Sequence, residues 1–215
     1  MSGKPVKLGV LGGVLALALV YSGVGYVSGA VPFPVQQRGD LGAADVCGSL
    51  GDGKTAAAEL KTVLPARAAY SSRETNPPRV RDETSWRADC TVSGDGDQLL
   101  YASAELGWDA SPSTWLDDPT RLHVDDEGRG EEFRAGSAAV VMRQTAEILV
   151  PCVARKGTAP YGLVVVVHAQ KPLVGSAREN RHALAVLALG SARSAHERAK
   201  CPMPSRVPAK VVGLH

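Results

Sequence analysis

YGLVVVVHAQ, residues 161–170, holds four valines in a row. Branching at Cβ crowds a helical turn but packs well on a pleated surface, so this run reads as a buried strand. The neighbouring sequence extends the reading in both directions. Upstream, SAAVVMR (137–143) and AEILVPCV (146–153) are further strand candidates, although the second has a texture that also suits a helix. Downstream, residues 171–177 are turn formers, and SARENRHALAVLALGSARSAHERAKC (176–201) reads as one long helix. Ser176 is placed to cap it, with Glu179 three residues on to complete a capping box. Residues 183–189 are apolar nearly all round, which predicts burial. Arg193, Arg198 and Lys200 suit the negative end of the helix dipole. The tail after Pro202 is expected to be loose.

The first half repeats this plan with less apolar material. SWRADCTVSG and QLLYASAELGW, separated by a glycine–aspartate turn, predict a β-hairpin. Residues 54–64 predict a helix ended near Pro65. Residues 66–84, with Pro77-Pro78, read as a loop, as does the acidic, turn-rich stretch 109–135. The expected fold class is therefore α+β, with antiparallel strands and packed helices over residues 47–215. It forms one domain, or two subdomains at 47–135 and 136–215. Residues 32–46 read as a linker.

From Leu8 to Val31 there is no charged residue, and Lys4 and Lys7 precede the run. Such a stretch is long enough to span a bilayer core of about 30 Å. The positive-inside rule keeps residues 1–7 in the cytoplasm and sends the rest outside. Pro32 and Pro34 end the helix. The rival is a cleaved signal peptide, since Ser28-Gly29-Ala30 offers small residues to a signal peptidase, but the run exceeds the usual 7–15 residues of that signal.

This orientation bears on GSLGDGKT, residues 48–55, which matches the phosphate-binding pattern G-x-x-x-x-G-K-[ST]. A P-loop leaves a buried strand, and QQRGDLGAADVC before it cannot make one. The expectation is a glycine-rich turn whose Asp52 caps the following helix. Nucleotide and nucleic acid are not expected partners outside the cell, and no cofactor is implied.

The formal net charge is +2. Residues 74–135 carry 15 acidic and 6 basic side chains, whereas residues 136–215 carry 3 and 11. Either the halves neutralise each other within one fold, or the asymmetry steers a charged partner. Cys47, Cys90, Cys152 and Cys201 lie on the expected outer side, where disulfides persist. Three pairings are open. Cys47–Cys90 with Cys152–Cys201 would tie the start of each half to its end. No C-x-x-C, H-E-x-x-H, G-x-S-x-G or S-x-x-K occurs.

Of the histidines, His168 reads as a satisfied core residue, and His182 and His196 are too far apart on one helix to share a metal. Asp117, Asp118, Asp125, Asp126, Glu127, Glu131 and Glu132 read as a solvated acidic loop, with Ca²⁺ as the rival reading. Trp86 is expected to pack on the disulfide. Trp108 and Trp115 read as core or as a binding surface that stacks on a sugar or anchors a protein partner.

The charged start, the single apolar span, and DVC, WRADCTV, VPCV and a final helix ending in AKC together resemble uncharacterised actinobacterial single-pass membrane-anchored or secreted proteins. The resemblance implies an exported, disulfide-stapled α+β domain and transfers no active site. The expected function is binding or scaffolding at the cell envelope, the membrane and an envelope protein or cell-wall ligand being the partners. An envelope hydrolase with a spatially assembled site is the alternative, as is a secreted form.

Overall fold

The valine run is the middle of a sheet. The computed structural model describes residues 38–75, 77, 85–107, 111–112, 115, 130–154 and 161–215, of which Arg38–His215 form one compact unit. The apolar run 8–31 lies outside the described residues. Among those described, no helix is long and apolar enough to cross a membrane.

In chain order come a 3-10 turn (Gly48–Leu50), helix α1 (Gly53–Val63), strands β1 (Tyr70–Thr75), β2 (Arg87–Gly94), β3 (Asp97–Gly107), β4 (Glu131–Glu132), β5 (Ala138–Val141), β6 (Thr145–Val153) and β7 (Tyr161–Ala169), and helix α2 (Ala177–Arg198). The strands form one sheet in the order β1-β2-β3-β7-β6-β5-β4, and every pairing is antiparallel. β3 pairs with β7 from Leu100↔Ala169 to Gly107↔Gly162, so the two halves of the chain share one sheet.

Period-two alternation decides which side chains meet the helices. Ala88, Cys90 and Val92, Ala102 and Ala104, Leu163, Val165 and Val167, and Ile148 and Val150 are all buried, and α2 packs against β3, β7, β6 and β5 on that side. Each such large apolar side chain contributes about 1.5–3 kcal/mol by leaving water. AEILVPCV is a strand. Its helical texture arises because β6 is buried on both faces: Leu149 on the far face packs with Val140 and Trp115. Glu147 is also fully buried there.

The β2–β3 hairpin turns on Asp95 and Gly96, both at positive φ (51° and 87°), as a two-residue type I′ turn requires. The Asp95 carboxylate also accepts Ala68 N (3.0 Å) and Ala69 N (2.9 Å), which brings the preceding chain alongside β2. The expected loop 66–84 therefore contains β1, and the expected loop 109–135 contains β4. Both are edge strands whose sequences, YSSRET and EE, gain one ladder and little core burial.

Two further expectations change. From Arg38 onward the expected linker belongs to the fold, because Leu41 is buried, Gly39 N donates to Arg67 O and Arg38 donates to Leu64 O. The tail is laid down rather than loose. Met203 N donates to Cys152 O, Gly136 N to Arg206 O and Arg134 N to Val212 O, while Val207, Val211 and Leu214 pack on the core.

Both disulfides form with the expected pairing, Cys47–Cys90 (Cα–Cα 6.1 Å) and Cys152–Cys201 (4.5 Å). The first fastens the chain before α1 to β2. The second fastens β6 to the end of α2.

Candidate functional site

α1 and α2 run antiparallel on the same side of the sheet. Their 3.6-residue period gives each helix a core stripe and a second stripe beside it. On α1 the core stripe is Ala56, Ala57, Leu60 and Val63. The adjacent stripe, Asp52, Thr55, Glu59 and Thr62, faces a groove. On α2 the groove side is His182, Val186, Gly190 and Arg193. The tail supplies a third wall through Ala209, Lys210 and Val211. The cavity measures about 430 Å³, within the range of small-ligand sites. A second cavity of about 350 Å³ continues it past Thr62, Arg178 and Leu214, and Glu59 and His182 border both.

The floor is apolar, made by Leu50, Ala56, Leu187 and Leu189, and the rim is charged. Asp52 before α1 and Glu59 on it face His182 and Arg193 on α2 and Lys210 on the tail, while Arg178, Glu179 and His215 bring both signs to the second cavity. Asp52 accepts from Thr55 N (2.9 Å) and Thr55 Oγ1 (2.8 Å), and these bonds, the backbone one first, hold its carboxyl below its usual range. Arg193 donates to Pro208 O at 2.7 Å, which pins the tail over the groove. Glu59 is half-buried. Neither it, His182 nor Lys210 makes a hydrogen bond or ion pair with the described residues. Val186, expected to be buried, is half-exposed into the groove.

GSLGDGKT lies at one end of this groove and is a turn followed by a capped helix. Gly48 N and Ser49 N, two amides that a phosphate would need, donate to the Glu74 carboxylate at 2.9 and 2.8 Å. One of its glycines, Gly51, serves a crossing of chains. Gly51 has φ +91°, and a Cβ there would sit 2.8 Å from Gly190 Cα; one on Gly190 would sit 2.1 Å from Leu50 O.

A different polar cluster occupies the far face of the sheet on β2 and β3. Arg87 bonds Asp89 (3.0 Å), Tyr101 Oη (2.7 Å) and Glu105 (3.4 Å), and Tyr101 donates to Asp89. Asp89, then Tyr101, raises the Arg87 pKa; burial, then Asp89, raises that of Tyr101. These groups satisfy one another. Beside them His168 Nδ1 lies 2.8 Å from Thr145 Oγ1. The pair has the reach of a base and a hydroxyl nucleophile, but Thr145 is 1% exposed. It reads as the satisfied histidine expected at 168.

Trp115 is 1% exposed and packs with Val140 and Leu149, so it gives a partner no surface. Its ring supplies the cover that β5 and β6 need on their far face. Trp108 lies outside the described residues, as do Asp117, Asp118, Asp125, Asp126 and Glu127. Glu131 accepts His215 N (2.6 Å) and pairs with Arg181 (3.3 Å). Trp86 is buried and donates Nε1–H to Pro77 O at 2.7 Å. Among the described residues no three His, Cys, Asp or Glu side chains gather as metal ligands.

Sequence reading missed the groove because its walls meet only in space. The signal present was a polar stripe at 52, 55, 59 and 62 beside the apolar one. No protein-family model, curated protein or solved structure matches the chain.

Proposed function

We propose that the chain is a membrane-anchored extracytoplasmic binding protein of the bacterial cell envelope, held by residues 8–31 and taking its ligand in the groove between α1 and α2. The resemblance to actinobacterial anchored or secreted proteins belongs to this reading. What carries it is the use of all four cysteines in two disulfides on a chain whose uncharged apolar run 8–31 follows Lys4 and Lys7. Disulfides persist outside the cytoplasm, and lysines before a span stay inside. The groove supports binding, because an apolar floor with a few convergent polar groups is the usual make-up of a ligand site. Nucleotide and nucleic acid are not the partners in this reading.

The test is thiol alkylation with mass spectrometry on the protein in its native membrane, reading the N-terminal peptide in the same run. Four unalkylated cysteines and a peptide reaching Met1 or Ser2 support the anchored, outward form. An N-terminus near residue 31 converts the reading to a secreted binding protein. Alkylated cysteines would sink the outward topology.

A further inference from the structure

β1 ends the sheet with one side of its backbone unused. In an antiparallel pair, residues that exchange hydrogen bonds with the neighbouring strand alternate with residues that point away from it. Leu106 N donates to Trp86 O, which turns the N–H and C=O of Ala88, Cys90 and Val92 toward β3. Asp95 N donates to Ala69 O, which turns those of Ser71, Arg73 and Thr75 toward β2. The two bonds agree on the alternation. They leave the N–H and C=O of Tyr70 and Ser72 on the outer edge, where these groups have no hydrogen-bond partner among the described residues. β1 has no proline, no lysine and no register shift against β2, devices that commonly guard such an edge. Its charges are one Arg73 and one Glu74, on opposite faces, and the Glu74 carboxylate already accepts Gly48 N and Ser49 N.

We infer that this edge pairs antiparallel with the same edge of a second copy, about a two-fold axis at Ser72. A two-fold contact requires a surface complementary to itself. With the axis at Ser72, each Ser72 N–H donates to the Ser72 C=O of the other copy. Ser71 then stands opposite Arg73 of the second copy, and Tyr70 opposite Glu74, so no charge meets its like. An axis at Arg73 or Glu74 would set two like charges directly opposite, which destabilises a strand pair. An axis at Ser71 would match only residues 70–72 of the strand. A second copy is therefore the occupant whose side chains this edge suits. The pair is smaller than a standard interface of about 20–30 residues a side, so the dimer is expected to dissociate on dilution.

The test uses the full-length protein in detergent, with sedimentation across a dilution series and copper-catalysed oxidation of three single-cysteine additions. Ser72→Cys is expected to link two copies, because residues opposite each other in a hydrogen-bonded pair lie about 5.5 Å apart at Cα, within disulfide reach. Ser71→Cys and Arg73→Cys should stay unlinked, since each would face its own copy across a diagonal of about 7–8 Å. Ser72→Pro removes the outward N–H and spares the bonds to β2, a place where an edge strand tolerates proline. It should sediment as monomer at concentrations where the wild type is dimeric, with the strand signal in circular dichroism unchanged. Faster linking at Ser71 or Arg73 than at Ser72 overturns the register. A dimer that persists in Ser72→Pro and does not link through Ser72→Cys places the contact elsewhere, as in the run 8–31, and overturns the proposal. A wild type that is monomeric at every dilution leaves the edge to some other extended chain and overturns the second copy as its partner.

Discussion

The two halves of the molecule are built from the same parts and finished differently. Each sets a helix on one side of its strands and closes a long loop with a disulfide, Cys47–Cys90 in the first and Cys152–Cys201 in the second. On the far face they part. β2 and β3 end in the mutually bonded cluster of Arg87, Asp89, Tyr101 and Glu105, each partly exposed. β5 and β6 end in Val140, Leu149 and Trp115, all buried. A strand covered on one face keeps the alternation that announces it. A strand covered on both loses it.

That comparison can be broken at four points. The largest effect falls on the disulfides, where the halves should behave alike. Closing loops with sequence separations of 43 and 49 removes nearly equal chain entropy, about 4 kcal/mol each in that model. Cys47→Ala/Cys90→Ala and Cys152→Ala/Cys201→Ala should therefore lower the urea midpoint by similar amounts, and a large gap would show that one bridge is strained or redundant.

The halves should differ next. Trp115→Ala opens a cavity under the β5–β6 far face and is expected to cost about 3–5 kcal/mol. Tyr101→Phe, in the half-exposed cluster, should cost about 1 kcal/mol or less. Equal losses in chemical denaturation would mean that the two far faces are covered to the same extent.

Ser176→Ala removes the cap of α2, at about 1 kcal/mol; its hydroxyl accepts Glu179 N while Glu179 answers to Ser176 N at 2.9 Å. A fall in the thermal midpoint without a change in sheet signal by circular dichroism is the expected outcome.

The smallest effect is alkaline. Burial and Asp89 raise the Tyr101 pKa, so the folded state holds that proton more tightly than the unfolded one. Its contribution is present below the unfolded value of about 10 and is lost as pH rises through the folded value. Ultraviolet titration of the wild type minus Tyr101→Phe should show one phenol titrating late. A normal midpoint would place Tyr101 in plain solvent.

The same contrast explains what could be read from the residues. The hairpin, both helices and their caps at Asp52 and Ser176 were all legible, whereas the cysteine pairing was one of three left open. Each rests on local chemistry: positive φ at a turn, a side-chain oxygen at a helix start, a 3.6-residue stripe. The edge strands β1 and β4 were not, because their pairing is paid for by neighbours and not by their own side chains. β6 was ambiguous because two covers erase its period. The tail was misread because its anchors, Cys152 O, Arg134 N and Gly136 N, belong to distant sequence. The groove shared that fate: Glu59, His182 and Lys210 are strangers in the chain and neighbours in the fold.

The crossing of Gly51 over Gly190 has a consequence for how the sequence can vary. Each position already holds the smallest residue, so a change at one cannot be relieved by a change at the other. Two sites remote in the gene therefore share one allowed letter. Gly51 sits at a position that the phosphate-binding pattern leaves unspecified, so a search by pattern alone passes over the one glycine of the string that the second helix constrains.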